Sequence, residues 1–324
     1  MLPGWVITTL CVLAWLVPAG IASAHALMYK RDPRATVLWV FASFALPVLG
    51  PFLYWALGIN RIERIALKHL GQRGQPLAAH GPADAAAREE AVATAVGPHV
   101  TLRSIADRVT RMPLLPGNTI TPLHNGEQAY PRMLDAIACA QRTVTLISYI
   151  FDWDDVGHSF ARALDYAARR GVRVHALLDG IGAQGAFSRM GRLLLRSGAT
   201  VAVFFPLRFP FGRVRINLRN HRKILVVDGH LGFTGGMNVS QRHLAERPGH
   251  GRVQDLHFEL TGPVVAELQH AFVEDWALAT DEVLSGEDYF PPLVPTGPAV
   301  CRGIASGPDQ SPAPLPWVIQ AAFA

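Results

Sequence analysis

The sequence predicts an α/β domain, a layered sheet with helices on both faces, preceded by a hairpin of two apolar helices. Two runs, 2–28 and 35–57, contain no Asp, Glu, Lys or Arg, and a short polar turn joins them. From about residue 116 onward, β-branched segments alternate with segments of helical spacing. This alternation is typical of a central, mainly parallel sheet between layers of helices.

Composition narrows the class of protein. The 324 residues are half hydrophobic and carry a formal net charge of +5, which favours anionic partners such as phospholipid headgroups or nucleic acid. The three cysteines are far apart and include no CxxC pair, which argues against a disulfide framework or a zinc site. A phosphate-binding P-loop, a dinucleotide fingerprint and a Gly-x-Ser-x-Gly elbow are absent from the sequence.

Residues 1–59 are expected to form a membrane hairpin. At about 1.5 Å per residue, each apolar run is long enough to cross a bilayer, and Pro47 and Pro51 predict a kink in the second helix. A cleaved signal peptide is the alternative, because Ala22-Ser23-Ala24 resembles a cleavage site. The lack of a basic residue before the first run favours the retained hairpin. Basic residues on both sides of the second run balance, so charge does not orient the chain.

The remaining chain divides by composition into three parts. Residues 60–115 form an Ala-, Gly- and Pro-rich connector, with one predicted surface helix at Ala83–Val96. Residues 116–293 form the α/β domain, and residues 294–324 follow it. The domain's predicted strands are Thr143–Tyr149, Val172–Leu178, Thr200–Phe205 and Lys223–Asp228, and its predicted helices are Gly157–Arg170, Arg189–Arg196 and Val264–Thr280.

The candidate catalytic residues form the pattern H-x-K-x4-D, at His221, Lys223 and Asp228. From the composition, this pattern is expected ~0.006 times by chance. Lys223 is one of only three lysines among 30 basic residues. A compact ammonium suits a phosphate that changes shape during a reaction, whereas Arg presents a planar fork.

The spacing of the motif indicates a role for each residue. On a strand, alternate side chains point the same way, so His221 and Lys223 can meet one phosphate. The Asp228 side chain would point to the opposite face of the strand. We therefore expect Asp228 to stabilise the local structure rather than to contact substrate. Gly235 and Gly236 allow a close backbone approach, and Asn238 offers an amide donor. A histidine in an ordinary structural hydrogen bond would explain neither the lysine nor the glycine pair.

These residues resemble the H-K-D motif of the phospholipase D superfamily, and the sequence around them is most similar to that of bacterial cardiolipin synthases. The segments 149–157, 167–182 and 252–263 carry the same resemblance, as does the apolar amino-terminal segment. It implies a phospholipase D-like fold and phosphatidyl transfer between phosphatidylglycerol molecules, through a phosphohistidine at His221. No metal and no cofactor are expected. It further implies that Lys223 and Asn238 bind phosphate.

The resemblance also implies that Asp255 accepts a hydrogen bond from the second ring nitrogen of His221, and that the protein lies in the bacterial inner membrane as a multi-pass protein. Anionic phospholipid is the expected partner, and nucleic acid is not. Asp179 is expected to be a turn or capping carboxylate rather than a catalyst. Ser240 and Gln241 stand where the family often has an acidic pair, which leaves the contacts to the acceptor substrate open.

The sequence contains only one H-x-K-x4-D motif, whereas the enzymes that it resembles pair two such motifs in one active site. Residues 301–309 resemble the opening of a second half, so residues 294–324 are expected to be its truncated start. A second copy of the chain or a companion chain could supply the missing motif, or the chain is a truncated form with weak or no activity. The membrane hairpin and the abrupt stop favour truncation or a split gene over a homodimer.

Two functional alternatives stay open beside phosphatidyl transfer. One is hydrolysis of a phosphodiester, and the other is a catalytically silent membrane partner. The segment Phe204–Arg213 combines aromatic rings with arginines, including Phe209 and Phe211. That composition fits contact with lipid headgroups and equally fits rings that belong to the core.

Overall fold

The structure is a computed structural model, and it describes residues 3–30, 33–59, 90, 92–94, 97–110, 112–180, 182, 189–204, 220–246, 251–304 and 314–323. These residues belong to two compact units, the apolar amino-terminal segment and the α/β domain. The aromatic and basic segment around Phe209 and Phe211 lies outside the described residues, as does most of the predicted helix at Ala83–Val96.

The amino-terminal unit contains one long helix and a broken second one. Helix α1 is Gly4–Tyr29, α2 is Pro33–Ala45, and α3 is Leu49–Leu53, which continues into a π-helical turn at Tyr54–Gly58. Trp15 Nε1 donates a hydrogen bond to Phe44 O at 3.1 Å, which ties α1 to the end of α2.

The expectation of two membrane-spanning helices is supported only for the first. Among the residues that the structure describes, α1 alone has the length and hydropathy to cross a bilayer. Helix α2, with 13 residues, is about 20 Å long, whereas a hydrocarbon core is about 30 Å thick. Where the prolines predict a kink, the helix stops: Val48 adopts a positive φ of 63° between α2 and α3. A multi-pass topology is therefore not supported.

The second unit is built on one eight-stranded sheet. Its strands follow the order β4-β3-β2-β5-β6-β7-β1-β8. Their bounds are β1 Leu115–His124, β2 Thr143–Ser148, β3 Arg173–Asp179, β4 Thr200–Phe204, β5 Ile224–Val227, β6 Leu231–Gly235, β7 Leu256–Thr261 and β8 Ala299–Cys301. The helices of this unit are α4 Val100–Val109, α5 Asn125–Cys139, α6 Asp155–Arg169, α7 Arg189–Leu195, α8 Val265–Thr280 and α9 Pro314–Phe323.

The sheet is mixed, so the expectation of a mainly parallel sheet is wrong for more than half of it. Strands β2, β3 and β4 are parallel, and every other pairing is antiparallel. The reason is connection length: the turn between β5 and β6 has only three residues, and so short a link can only join antiparallel strands. Strand β8, which follows the predicted boundary at residue 293, pairs with β1 in this same sheet.

Helices cover both faces of the sheet, as predicted. On one face α5, α6 and α7 enclose a core that includes Phe160, Leu146 and Leu225. On the other face α8 covers Ile147 and Val226 with Trp276 and Phe272. Neighbouring residues of β2 and β5 thus enter opposite cores, because successive side chains on a strand point to opposite faces.

The sheet topology brings several strand ends together at one edge. Strand β5 is antiparallel to β2, with Ile224 opposite Ile147, so β5 begins where β2 ends. Strand β6 ends beside the start of β5, and its last residue, Gly235, lies opposite His257 of β7. Residues just before β5 and just after β2 and β6 therefore meet. These are the positions of the predicted motif.

Asp228 lies at the opposite end of β5 and caps a turn. Its carboxylate accepts hydrogen bonds from the backbone N–H groups of Gln141, Arg142 and Thr143 at 2.8, 2.7 and 2.9 Å. Its φ is 51°, a left-handed conformation that Asp and Asn tolerate better than other side chains. The contacts agree with the architectural role expected for Asp228.

We predict that Asp228→Ala lowers the free energy of unfolding by about 3 kcal/mol, because charged hydrogen bonds are lost and a left-handed alanine is strained. Urea unfolding in detergent, followed by tryptophan fluorescence, measures the change. Asp228→Asn is the matched control, since it keeps one acceptor oxygen and the backbone tolerance, and about half the loss is expected. Equal stability of the wild type and both variants would contradict the assignment.

Candidate active site

The four residues before β5 are anchored to α8. Asn220 Nδ2 donates to Asp275 Oδ2 at 2.7 Å, and the Arg222 guanidinium pairs with the same carboxylate oxygen at 2.7 Å. Because Asn220 and Arg222 face α8, His221 and Lys223 face the other way. The predicted alternation is therefore present, although these residues precede the strand rather than lie in it.

His221 and Lys223 are in direct contact. Lys223 Nζ is 3.1 Å from His221 Nδ1 and donates to the carbonyl oxygen of His221 at 2.6 Å. The ring of Tyr149, which follows β2, lies 4.7 Å from the imidazole between centroids, and Lys223 Nζ is 5.3 Å from the centre of the Tyr149 ring. The imidazole is exposed and the lysine is buried. A ligand can thus reach His221 directly and finds Lys223 beneath it.

Burial sets the charge of both groups. Desolvation lowers the pKa of the Lys223 ammonium to about 8, although Asp255 and Asp179 act to raise it. The pKa of His221 is also lowered, first by partial burial of its ring and then by the charge of Lys223. At neutral pH the pair therefore contains a neutral imidazole beside a cation that loses its proton more easily than an ordinary lysine.

Asp179, the last residue of β3, fixes the start of this segment. Its two carboxylate oxygens accept hydrogen bonds from the backbone N–H groups of Gly182 and Asn220, each at 3.0 Å. The side chain is 1% exposed. These contacts match the turn role expected for Asp179, and its charge also favours the ammonium form of Lys223.

Asn238 is held on three sides. Its side-chain oxygen accepts from the backbone N–H of Ile150 at 3.1 Å, and its carbonyl oxygen accepts from the hydroxyl of Tyr130 at 2.7 Å. Its backbone N–H donates to Nε2 of His243 at 3.2 Å. Because the amide oxygen is engaged, the amide NH2 group is the donor that a ligand would meet.

Asp255 has a different partner from the expected one. Its carboxylate lies 3.6 Å from Nδ1 of His243, and it accepts a hydrogen bond from the backbone N–H of Leu256 at 2.7 Å. The contact of His221 Nδ1 in the structure is Lys223, not Asp255. The predicted hydrogen bond between His221 and Asp255 is therefore not the contact that this geometry shows.

The glycine pair permits close packing within the protein. Gly235 has a φ of 157°, and a Cβ there would clash with Leu256 and His257 of β7. A Cβ on Gly236 would clash with the carboxylate of Asp255. The close approach that the sequence predicts thus brings β6 against Asp255 and His257.

The two residues that replace the acidic pair are bonded to acids from another segment. Ser240 Oγ donates to Asp152 at 2.7 Å, and the backbone N–H of Gln241 donates to Asp154 at 2.7 Å. Both acids follow β2. Carboxylates therefore lie next to Ser240 and Gln241, although this stretch of the sequence lacks them.

Three residues near the site were not predicted from the sequence: Tyr149, His243 and His257. His257 is 1% exposed and burial lowers its pKa to about 4, so its ring is neutral. Tyr149 could have been predicted from the sequence, since a polar aromatic residue directly after a buried strand is a candidate site residue. His257 lies in the segment 252–263 that carries the resemblance, and His243 follows Asn238 by five residues, but only the pairing of β6 with β7 brings His257 opposite Gly235. Among the residues that the structure describes, no group of three or more His, Cys, Asp or Glu is placed to hold a metal ion.

Comparison with known proteins now defines the family. Residues 133–276 match the family model "Cardiolipin synthase, PLD-like domain", and residues 13–58 match the model of the phospholipase D-nuclease N-terminal segment. The chain contains a domain of the phospholipase D superfamily. The matched ranges include His221, Lys223, Asp228 and Asn238 in the first case, and most of the apolar unit in the second.

Curated relatives in this superfamily are named cardiolipin synthases. Cardiolipin synthase A from Pseudomonas aeruginosa is 33% identical over 290 residues, which cover 89% of this chain and 59% of that protein. Cardiolipin synthase from Geobacillus kaustophilus is 30% identical over 283 residues, covering 87% of this chain and 56% of that protein. The chain thus spans less than two thirds of the length of these relatives.

Among solved structures, the phospholipase D family member Nuc from Salmonella typhimurium shares 18% identity with this phospholipase D-type chain. The TM-score is 0.39, and the match covers 50% of this chain and 96% of Nuc.

The lowered pKa of Lys223 gives a pH-dependence for anion binding by this phospholipase D-type site. Sulfate remains a dianion from pH 7 to 9.5, so it reports the protein's charge alone. Lys223 is cationic below a pKa of about 8 and neutral above it. We predict that sulfate affinity, measured by isothermal titration calorimetry in detergent, falls about tenfold as the pH rises through this range.

Lys223→Arg is the matched control, since a guanidinium stays charged throughout this pH range. Its sulfate affinity is expected to be independent of pH between 7 and 9.5, whatever its absolute value. A wild-type affinity that does not change with pH would show that Lys223 does not bind the anion.

Proposed function

We propose that this chain is the half-site of a membrane phosphatidyltransferase of the cardiolipin synthase type. The observation that carries the proposal is the direct contact of an exposed, neutral His221 with a buried Lys223 cation. The fixed amide of Asn238 follows β6 at the same edge of the sheet. The curated relatives named cardiolipin synthase support a phosphatidyl group as the group transferred. The apolar helix α1 supports reaction at a membrane.

In the first step, Nε2 of His221 attacks the phosphorus of phosphatidylglycerol. The N–P bond forms, the P–O bond to glycerol breaks, and the glycerol alkoxide takes a proton and leaves. Lys223 and the Asn238 amide hydrogen-bond to the phosphate oxygens, where negative charge increases in the transition state. In the second step, a hydroxyl oxygen of another phosphatidylglycerol attacks the phosphorus of the phosphohistidine. A new P–O bond forms, the N–P bond to Nε2 breaks, and the hydroxyl proton passes to the group that protonated the glycerol alkoxide in the first step. The net products are cardiolipin and glycerol.

Lys223 also influences which nitrogen of His221 can attack. An ammonium donating to Nδ1 requires a lone pair there, so the neutral ring carries its proton on Nε2 and cannot attack through that atom. A bound phosphate would draw the ammonium away and release Nδ1. The neutral His221 ring would then carry its proton on Nδ1. We propose that Asp255 accepts a hydrogen bond from this Nδ1–H in the substrate-bound state. Substrate binding thus converts His221 to the nucleophilic tautomer.

The leaving alkoxide needs a proton donor, and general acid help is worth about 10²–10⁴ in rate. The neighbouring His243 and His257 are buried, and desolvation lowers the pKa of each, so neither is a protonated acid at neutral pH. We propose that the acid comes from a second H-K-D motif, on another copy of the chain or on a companion chain. Hydrolysis is the second candidate, because the exposed His221 would also admit water as the acceptor.

The test uses the full chain in detergent with two radiolabelled donors. One is phosphatidylglycerol, whose glycerol needs a proton to leave. The other is an activated aryl ester of phosphatidic acid, whose phenolate leaves without one. We predict acid-labile label on the protein from the aryl ester, reduced about a thousandfold or more in His221→Ala. His230→Ala, an exposed histidine at the far end of β5, is the control and should label normally.

The products separate the candidate functions. Cardiolipin from phosphatidylglycerol supports transfer, and phosphatidic acid supports hydrolysis. Label from the aryl ester but not from phosphatidylglycerol supports a half-site that lacks its acid. If folded wild-type protein takes no label from either donor, the chain is not this enzyme, and the silent membrane partner is the remaining function.

A further inference from the structure

His243 lies between two residues of the proposed site, Asn238 and Asp255. It ends the short 3₁₀ helix Gln241–His243, which follows Asn238 after two residues. Its Nε2 accepts the backbone N–H of Asn238 at 3.2 Å, and its Nδ1 is 3.6 Å from Asp255 Oδ2. The side chain is 6% exposed. One buried ring therefore contacts both Asn238 and Asp255.

The hydrogen bonds of Asn238 settle the tautomer of this ring. A backbone N–H can only donate, so Nε2 of His243 must accept with its lone pair. A neutral ring then carries its one proton on Nδ1, which faces the Asp255 carboxylate. At 3.6 Å this contact is longer than a hydrogen bond, and Nδ1 has no hydrogen-bond partner among the residues that the structure describes. The ring thus accepts on one side and presents its proton to an anion on the other.

We propose that neutral His243 is a positioning residue. Its ring fixes the Asn238 amide donor toward the phosphate and holds the Asp255 carboxylate beside its own Nδ1. Protonation would place a hydrogen on Nε2 directly opposite the Asn238 N–H, and two donors cannot bond. Of the two Asn238 backbone hydrogen bonds seen among the described residues, the one from the Tyr130 hydroxyl to the carbonyl oxygen would then remain. The proposal rests on the proposed phosphate site, but it concerns a contact that exists before any lipid binds.

The surroundings of His243 favour the neutral ring. Burial lowers its pKa, and the nearby cations Lys223 and Arg242 act in the same direction. The carboxylates of Asp255 and Asp152 oppose this shift. Other titratable groups that face the ring or its short helix are the neutral His257 of β7 and Asp154, which accepts from the backbone N–H of Gln241. Tyr130 and Glu127 of α5 also face it, as does Arg252, which donates to the carbonyl of Gln241.

The experiment follows Asn238 directly by NMR. The chain has six asparagines, so selective ¹⁵N-asparagine labelling of the full protein in detergent gives six backbone amide signals. The signal of Asn238 is identified by its loss in Asn238→Asp. We expect its N–H shift to change with a midpoint below pH 6.5, the same midpoint as the ring signals of His243. In His243→Gln, whose side-chain oxygen can still accept but does not titrate, the Asn238 signal should not change in this range.

Sulfate binding at pH 7.5 adds a functional measurement that does not require lipid transfer. His243→Gln should bind sulfate within about twofold of wild type, since the acceptor is kept. His243→Leu removes the acceptor, and we expect about a tenfold loss. The proposal would be overturned if the Asn238 N–H shift did not change as His243 titrates, or if it changed equally in His243→Gln. This result would decide even if His243→Leu does not fold.

The two proposals can fail separately. If Asn238 follows His243 and sulfate binds as expected, but no phosphatidyl label forms, the positioning role stands and the proposed transferase function fails. If label forms normally in His243→Leu, the transferase function stands and the positioning role fails.

Discussion

The active-site arrangement depends on one constraint, the burial of a single ammonium group beside an exposed imidazole. A lone buried cation is unfavourable, and three features offset its cost: the carbonyl of His221 accepts from it, and the carboxylates of Asp179 and Asp255 lie close enough to raise its pKa. The balance still leaves the pKa of Lys223 near 8. The site thus holds an incompletely stabilised cation, and an arriving phosphate would supply the missing countercharge.

Side chains around Lys223 alternate between two directions, so the residues that anchor the backbone point away from His221 and Lys223. Asn220 and Arg222 bind Asp275 of α8, so they fix the backbone against the core, while His221 and Lys223 project from the opposite side. Asp228 performs a similar task at the other end of β5, where it caps the turn before β2. Asn220, Arg222 and Asp228 therefore hold the two ends of β5, and His221 and Lys223 are presented at the edge where β2, β6 and β7 converge.

The sequence predicted the local parts of this arrangement better than the distant ones. The helices on both faces, the shared side of His221 and Lys223, and the turn roles of Asp179 and Asp228 follow from spacing of a few residues. The sheet directions were partly wrong because pairing is set by connections that the local pattern does not contain. The break after Ala45 is sharper than the predicted kink because Val48 adopts a positive φ of 63°, which the positions of the prolines do not specify. His243 reaches Asp255 only through the β6–β7 pairing, so its position could not be read from the motif.

The charges around the motif explain why one half-site would not suffice for the proposed transfer. A general acid must hold a proton at neutral pH and release it to an alkoxide, yet burial keeps His243 and His257 neutral. Lys223 has a suitable pKa in the unliganded site, but a bound phosphate would raise that pKa and engage its protons. The same groups that make this site a good receptor for phosphate make it a poor source of protons. In the proposed function, a second imidazole that stays solvated and cationic would resolve this conflict. The nucleophile and the acid need opposite charge states, and they would then occupy different motifs.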